Sequence, residues 1–215
     1  MNMSKSLKRK RVKAFLLGLQ AEYDEDTQDK DELLEKGMVY VQMHLPVKDI
    51  SKEFEDSLKE KIEHNIIQAK IREATVEDLE IIVNIYNRSW LTSQTPFRAM
   101  SIEDFIEIFE DPTCKILIGK VYGIDGGFII LDIEGEHNEI GIIAALAVIP
   151  RFQRKGLGTV LGMASWNFFK EQGVKELRCE VYESNQVSSA FIKGLGFKEF
   201  GEPKVYKADD LDIEE

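Results

Sequence analysis

Apolar and polar residues alternate most clearly in two kinds of stretch, and these divide the chain. Over Met38–Leu45 the alternation has period two: Val39, Val41, Met43 and Leu45 face one way, and Tyr40, Gln42 and His44 the other. That is the pattern of a half-buried strand stopped by Pro46. Before it, Lys5–Gln20 reads as a helix and Glu22–Glu35 is heavily acidic. After it, Ser51–His64 reads as a charged helix. Ser51 stands where a cap belongs, but Phe54, three residues on, cannot complete a capping box.

From Ile66 the pattern changes. Ile67–Ile71 predicts a short strand. Thr75 followed by Asp78 opens a helix carrying Ile81, Ile82, Val83 and Ile85, and Ser101 with Asp104 opens another over Ser101–Phe109. Lys115–Val121 and Gly127–Ile133 are β-branched runs joined through Gly123–Gly126, a hairpin signal. Glu139–Val148 predicts the next strand. Gly156–Gln172 predicts a helix ended by Gly173, Glu176–Tyr182 a strand, Gln186–Leu195 a short helix ended by Gly196, and Lys204–Tyr206 a last strand. The order β-α-α-β-β-β-α-β-α-β describes a mixed α/β domain over residues 66–215, preceded by an extension, 1–65, whose role the pattern does not define.

Composition narrows the function. Hydrophobic residues make up 43% and charged residues 31% of 215, a globular balance. No apolar run reaches the length of a membrane helix. The basic N-terminal segment (Lys5, Lys8–Arg11, Lys13) precedes an apolar run too short for a secretory signal, so a cytoplasmic protein is expected. The net charge of −11 opposes binding to nucleic acid and would attract cationic amines or basic peptides. Cys114 and Cys179 suggest no disulfide framework, and Cys179, in an apolar run, reads as a buried structural thiol. Three scattered histidines suggest no metal site.

The most informative segment is Ala147–Thr159. An apolar strand stops at Pro150, a basic turn comes next, then Gly156 and Gly158, then a helix. Glycines permit close backbone approach and positive φ, and a helix start presents unpaired N–H groups. With Arg154 and Lys155 adding charge, this is a candidate diphosphate cradle. A dinucleotide-binding reading competes: Gly156-x-Gly158-x-x-x-Gly162 precedes Glu180 by some twenty residues. Against it, Arg151–Lys155 separates the glycines from the strand, and the preceding chain reads as hairpins rather than βαβ units.

This segment and the residues after it resemble the GNAT superfamily of N-acetyltransferases. Gln153-Arg154-Lys155-Gly156-Leu157-Gly158 fits the family's pyrophosphate-binding motif. Leu146-Ala147-Val148-x-Pro150 resembles its fourth strand, Glu180-Val181-x-x-Ser184-Asn185 its fifth, and Ala190-Phe191-x-x-x-Leu195-Gly196-Phe197 the helix after it. The resemblance covers roughly Ile66–Tyr206. It implies a GNAT-type mixed, mostly antiparallel sheet flanked by helices, with the fourth and fifth strands splayed into a cleft for acetyl-CoA. It implies that backbone groups of Leu146, Ala147 and Val148 pair with the pantetheine arm. It also implies that Gln153, Arg154, Lys155, Gly156, Leu157, Gly158 and Thr159 hold the pyrophosphate and that Asn185 contacts the cosubstrate, although a helix N-cap also explains Asn185.

The reaction implied is direct attack of a primary amine, from a small molecule or a protein, on the acetyl thioester. A base must remove a proton from the amine. Glu180 is the first candidate, by its resemblance to the catalytic glutamate of the ribosomal-protein N-terminal acetyltransferase branch, and because an apolar strand suits a carboxylate acting near neutrality. A structural ion pair is the bland reading of the same residue. Glu139 is the second candidate. A strand N–H near Val148 is the expected oxyanion donor. Many family members place a tyrosine acid where this chain has Ile192. Trp90, Phe97 and Tyr206 are candidate acceptor-binding residues, though core packing explains Trp90 equally well. The alternative function is a catalytically weak acyl-CoA-binding module serving as sensor or scaffold. A homodimer through the extension is a further expectation.

Overall fold

A computed structural model describes residues 36–63, 69–96 and 99–207, apart from the side chains of residues 63 and 107. Phe97, a candidate acceptor-binding residue, and the helix expected over Lys5–Gln20 lie outside the described residues. In chain order the elements are β1 (Met38–Pro46), α1 (Lys52–Glu63), β2 (Ala69–Glu73), α2 (Leu79–Trp90), α3 (Ile102–Phe109), β3 (Lys115–Val121), β4 (Ile124–Glu134), β5 (Ile140–Val148), α4 (Leu157–Glu171), β6 (Glu176–Tyr182), α5 (Gln186–Gly194), β7 (Lys198–Glu199) and β8 (Lys204–Tyr206).

Local signals act as the sequence predicts. Ser101 Oγ accepts from Asp104 N–H and Asp104 accepts from Ser101 N–H, a complete capping box for α3. Ser51 Oγ accepts from Phe54 N–H without a box. Asp78 accepts the Thr75 N–H at 2.8 Å and takes both arms of Arg72 at 2.7 Å each, fixing the turn between β2 and α2. The β3–β4 turn is tighter than the expected Gly123–Gly126 link. Tyr122 and Gly123, both at positive φ (50° and 78°), form it, and a bulge between Gly119 and Lys120 takes up the remaining residue.

The eight strands form one sheet in the order β2-β3-β4-β5-β6-β1-β7, with β8 also on β1. Every pairing is antiparallel except β5–β6. Helices cover both faces. On one, Tyr86 of α2, Phe105 of α3 and Phe128 of β4 meet edge to face. On the other, α4 lies against β5, and α1 packs outside it through Phe54 and Trp166, whose ring centroids are 5.8 Å apart.

The segment before residue 65 takes part in this sheet. β1 pairs with β6 along its length, from Tyr40 opposite Tyr182 to Pro46 opposite Glu176. Its other edge receives β7 at Met43–His44 and β8 at Met38–Tyr40. Met43 is fully buried opposite Cys179. Among the described residues, no helix is long and apolar enough to cross a membrane.

Met43→Ala should cost roughly 2–5 kcal/mol, the range for a buried methionine truncated in a core. Denaturant unfolding of the full chain checks this; a cost near zero would mean that β1 packs loosely on the sheet.

Candidate active site

β5 and β6 pair at only three positions, Ile140 with Glu176, Gly141 with Leu177 and Ile142 with Arg178. Beyond them the strands part. β5 follows β4, and its register skips one residue at Ala144, between Ile143 opposite Leu131 and Ala145 opposite Ile130. Such a bulge bends the strand that carries it. β6 follows β1 instead. The gap between them is a cavity of about 500 Å³.

The wall on the β5 side supplies unpaired backbone. Ile149 N–H donates to Gly126 O across β4. Alternation along the strand therefore turns the backbone groups of Leu146 and Val148 the other way, into the gap. Val148 O accepts from Gln153 Nε2 at 2.9 Å, and Leu146, Ala147 and Val148 all line the cavity.

The glycine turn sits at one end of the gap. Arg154 (φ 56°) and Gly156 (φ 90°) adopt left-handed backbone, and Gly156 caps α4. Val160 N–H is bonded to Gly156 O, so Leu157, Gly158 and Thr159 are the residues of α4 whose N–H groups precede the first helical bond. A Cβ on Gly158 would lie 3.2 Å from the Phe191 ring and 3.8 Å from Leu146 Cδ2, so side chains crowd this point already. Gln153, Arg154, Gly156, Gly158 and Thr159 line the cavity; the side chains of Lys155, which is exposed, and Leu157, which is buried, do not.

The segment after α2 crosses the mouth of the gap. Thr92 Oγ1 accepts from Gln153 Nε2 at 3.4 Å on the β5 side. On the β6 side, Asn185 Nδ2 donates to Ser93 Oγ (3.1 Å) and Thr95 Oγ1 (2.8 Å). Asn185 is 5% exposed, and its Oδ1 caps α5 by accepting from Ser188 N–H at 3.0 Å. It is thus a helix cap and a tie across the mouth, and it lines the cavity. Trp90 lines the cavity too, stacked on Tyr86 with centroids 4.3 Å apart.

At the other end stands Glu180. Continuing the parallel register places it level with the bulge at Ala144 and places Tyr182 level with Leu146. The Glu180 carboxylate is 15% exposed and lines the cavity. Its oxygens accept from Lys204 Nζ at 2.7 Å and Tyr206 Oη at 2.8 Å, so Tyr206 is joined to the site through Glu180. Tyr40 stands between Tyr182 and Tyr206, with ring centroids 5.6 and 5.5 Å away.

Glu139 is elsewhere. It precedes β5 at the end where the strands are still paired, its carboxylate accepts from His137 N–H, and it does not line the cavity. Hydrogen bonds from its own and the His137 backbone lower its pKa. Glu134, a carboxylate that the sequence does not single out, ends β4 opposite Ile140 at the same paired end and does not line the cavity. Burial first, then Asp132 and Glu180, raise its pKa above the ordinary carboxylate value, against the pull of Lys204. Tyr40 is likewise legible as a strand residue but not as a cavity residue, because nothing local in its segment announces β6 as its neighbour. Cys179 is buried, as expected, and also lines the cavity.

A mixed sheet parted beside a glycine-opened helix defines a class, and comparison with known proteins agrees. The model of the Acetyltransferase (GNAT) family matches residues 79–197, and the chain belongs to that family. An N-alpha-acetyltransferase of Sulfurisphaera tokodaii is 29% identical over 153 residues, covering 66% of this chain and 88% of the relative. The fold is similar to that of an aminoglycoside N-acetyltransferase solved with CoA (TM-score 0.54, 18% identity, 66% of this chain and 95% of that one). It is also similar to the ribosomal-protein-S18-alanine N-acetyltransferase of Escherichia coli (TM-score 0.53, 23% identity, 62% and 80%).

Asn185→Ala should cost roughly 1–3 kcal/mol, combining a lost cap with the loss of the Asn185 donor to Thr95 Oγ1, while Ser93 Oγ keeps the Thr95 N–H. It should also speed amide hydrogen exchange at residues 93–95. Unchanged exchange there would mean that the tie does not hold the segment.

Proposed function

We propose that this protein is an acetyl-CoA-dependent N-acetyltransferase acting in the cytoplasm on a primary amine, of a small molecule or of a protein. The observation that carries the reading is the gap between β5 and β6, with backbone N–H groups turned into it, a helix N-terminus at one end and a carboxylate at the other. The α4 N-terminus and Arg154 suit a pyrophosphate, and the gap suits an extended pantetheine arm lying beside β5 as an added strand. Acetyl-CoA supplies the activated acyl group. The N–H groups of Leu146 and Val148 are the donors available to the oxygen that gains charge.

Glu180 is the proposed base. It takes a proton from the acceptor ammonium, and Tyr206 and Lys204 hold its orientation. Glu134 acts on Glu180 through space and adds negative charge outside the cavity, which favours the approach of a cation. The domain boundary proposed near residue 65 applies to the family-like portion only, because β1 supplies Tyr40 to the cavity.

A second reading, a CoA-binding module with little catalysis, is favoured by Ile192, whose apolar side chain lines the cavity where the resemblance places a tyrosine acid. Two other phenols, Tyr40 and Tyr182, line the same cavity. Burial first, then Tyr40, raises the Tyr182 pKa, so Tyr182 keeps its proton across the neutral range.

Calorimetric titration should show acetyl-CoA binding to the full chain, and Gly158→Trp, which must also displace the Phe191 ring, should abolish it while the variant keeps a cooperative unfolding transition. Retained affinity in that variant would remove the α4 N-terminus from the binding site. Glu180→Gln should lower kcat by roughly a hundredfold, flatten the acid limb of the pH–rate profile and leave acetyl-CoA affinity unchanged. Binding without transfer to any amine would favour the second reading.

A further inference from the structure

A primary amine is already held on the candidate base, and it belongs to the protein. Lys204 of β8 directs Nζ to Glu180 Oε1 at 2.7 Å. β8 and β6 are not neighbours: β1 runs between them, with Lys204 opposite Tyr40 and Tyr40 opposite Tyr182. The lysine stem therefore crosses β1, on the sheet face shared by Tyr40, Tyr182 and Glu180, to reach a carboxylate of the cavity. Lys59, Lys115 and Lys193 also form ion pairs, but their partners Asp56, Glu73 and Glu199 do not line the cavity. The Lys204 side chain is half exposed (51%), and its flexible four-carbon stem has room to move.

We propose that Lys204 is an acetylation site served in cis by this cavity, an inference that rests on the acetyltransferase reading above. The Glu180 carboxylate removes one proton from the Lys204 ammonium. The neutral Nζ forms a C–N bond to the thioester carbonyl carbon, and the C–S bond breaks with its electron pair leaving on sulfur. The nitrogen gives up its second proton as the amide forms and the thiolate takes one up, so the products are Nε-acetyllysine and free CoA thiol, and the carboxyl returns its proton to solvent. The amide formed is neutral. It ends the ion pair with Glu180, leaves Tyr206 Oη as the described donor to that carboxylate, and makes this end of the cavity more negative towards a cationic acceptor.

The test incubates the full chain with acetyl-CoA and no added amine, then maps acetyl groups by peptide mass spectrometry. Lys204 should be modified well ahead of Lys59, Lys115 and Lys193, with a rate constant independent of protein concentration. Glu180→Gln should slow the modification roughly a hundredfold, and Lys204→Arg, which keeps the charge, should show no acetyl group on that peptide. Modification no faster than at the three surface lysines, an unchanged rate in Glu180→Gln, or a rate rising with protein concentration would each overturn the proposal. Calorimetry on the same sample separates the two levels: bound acetyl-CoA with an unmodified Lys204 sinks the cis acetylation alone, whereas no binding sinks the acetyltransferase reading with it.

Discussion

The site depends on a conflict of allegiance between two neighbouring strands. β5 is committed to β4 and bends with it at Ala144, while β6 is committed to β1 over its full length. Three parallel pairs hold the two together, and then neither can follow the other without giving up its own ladder. Strand edges left unpaired in a sheet interior are costly unless something accepts their hydrogen bonds. The parting thus creates a demand for an extended, hydrogen-bonding ligand at the same place where it creates the space for one.

Around that gap the remaining elements divide the work by charge. The α4 N-terminus and Arg154 make one end electropositive, and the Glu180 carboxylate, paired with Lys204, stands at the other. A molecule with an anionic end and a cationic reaction partner is oriented by this polarity before any specific contact forms. The segment 92–95 joins the two walls through Gln153 and Asn185, so the width of the mouth is set by side chains from three different elements.

The legible parts of this arrangement are those encoded within a few residues. The glycine turn and the caps at Ser101 and Asn185 arise from local sterics and hydrogen bonding, and the structure places them where the pattern does. The strand over Met38–Leu45 forms too, but its buried positions change phase along it, from Met38 and Tyr40 to Met43 and Leu45. Glu180 is legible through a family resemblance over a stretch of chain that is continuous in sequence. The partners of Glu180 are not legible, because Lys204 and Tyr206 reach it through a register set by β1, and register between distant strands has no signature in either strand alone. Glu139 illustrates the converse. Its position before an apolar strand suggests a site residue, but β5 has two ends, and the sequence does not say which of them opens.

The placement of β1 also governs when the cavity can exist. Gln42 donates to the carbonyl of Glu202, 160 residues downstream, and the strand on which Tyr40 sits is flanked on both sides by segments made much later. Contacts of such separation close large loops and form late in folding. During synthesis β1 has to wait, with an unpaired edge, until β6 and β8 have left the ribosome. The cavity is therefore complete only once β8 has been made. A nascent chain that displays the glycine turn and α4 already, but has not yet received β8, lacks the Lys204 and Tyr206 donors to Glu180.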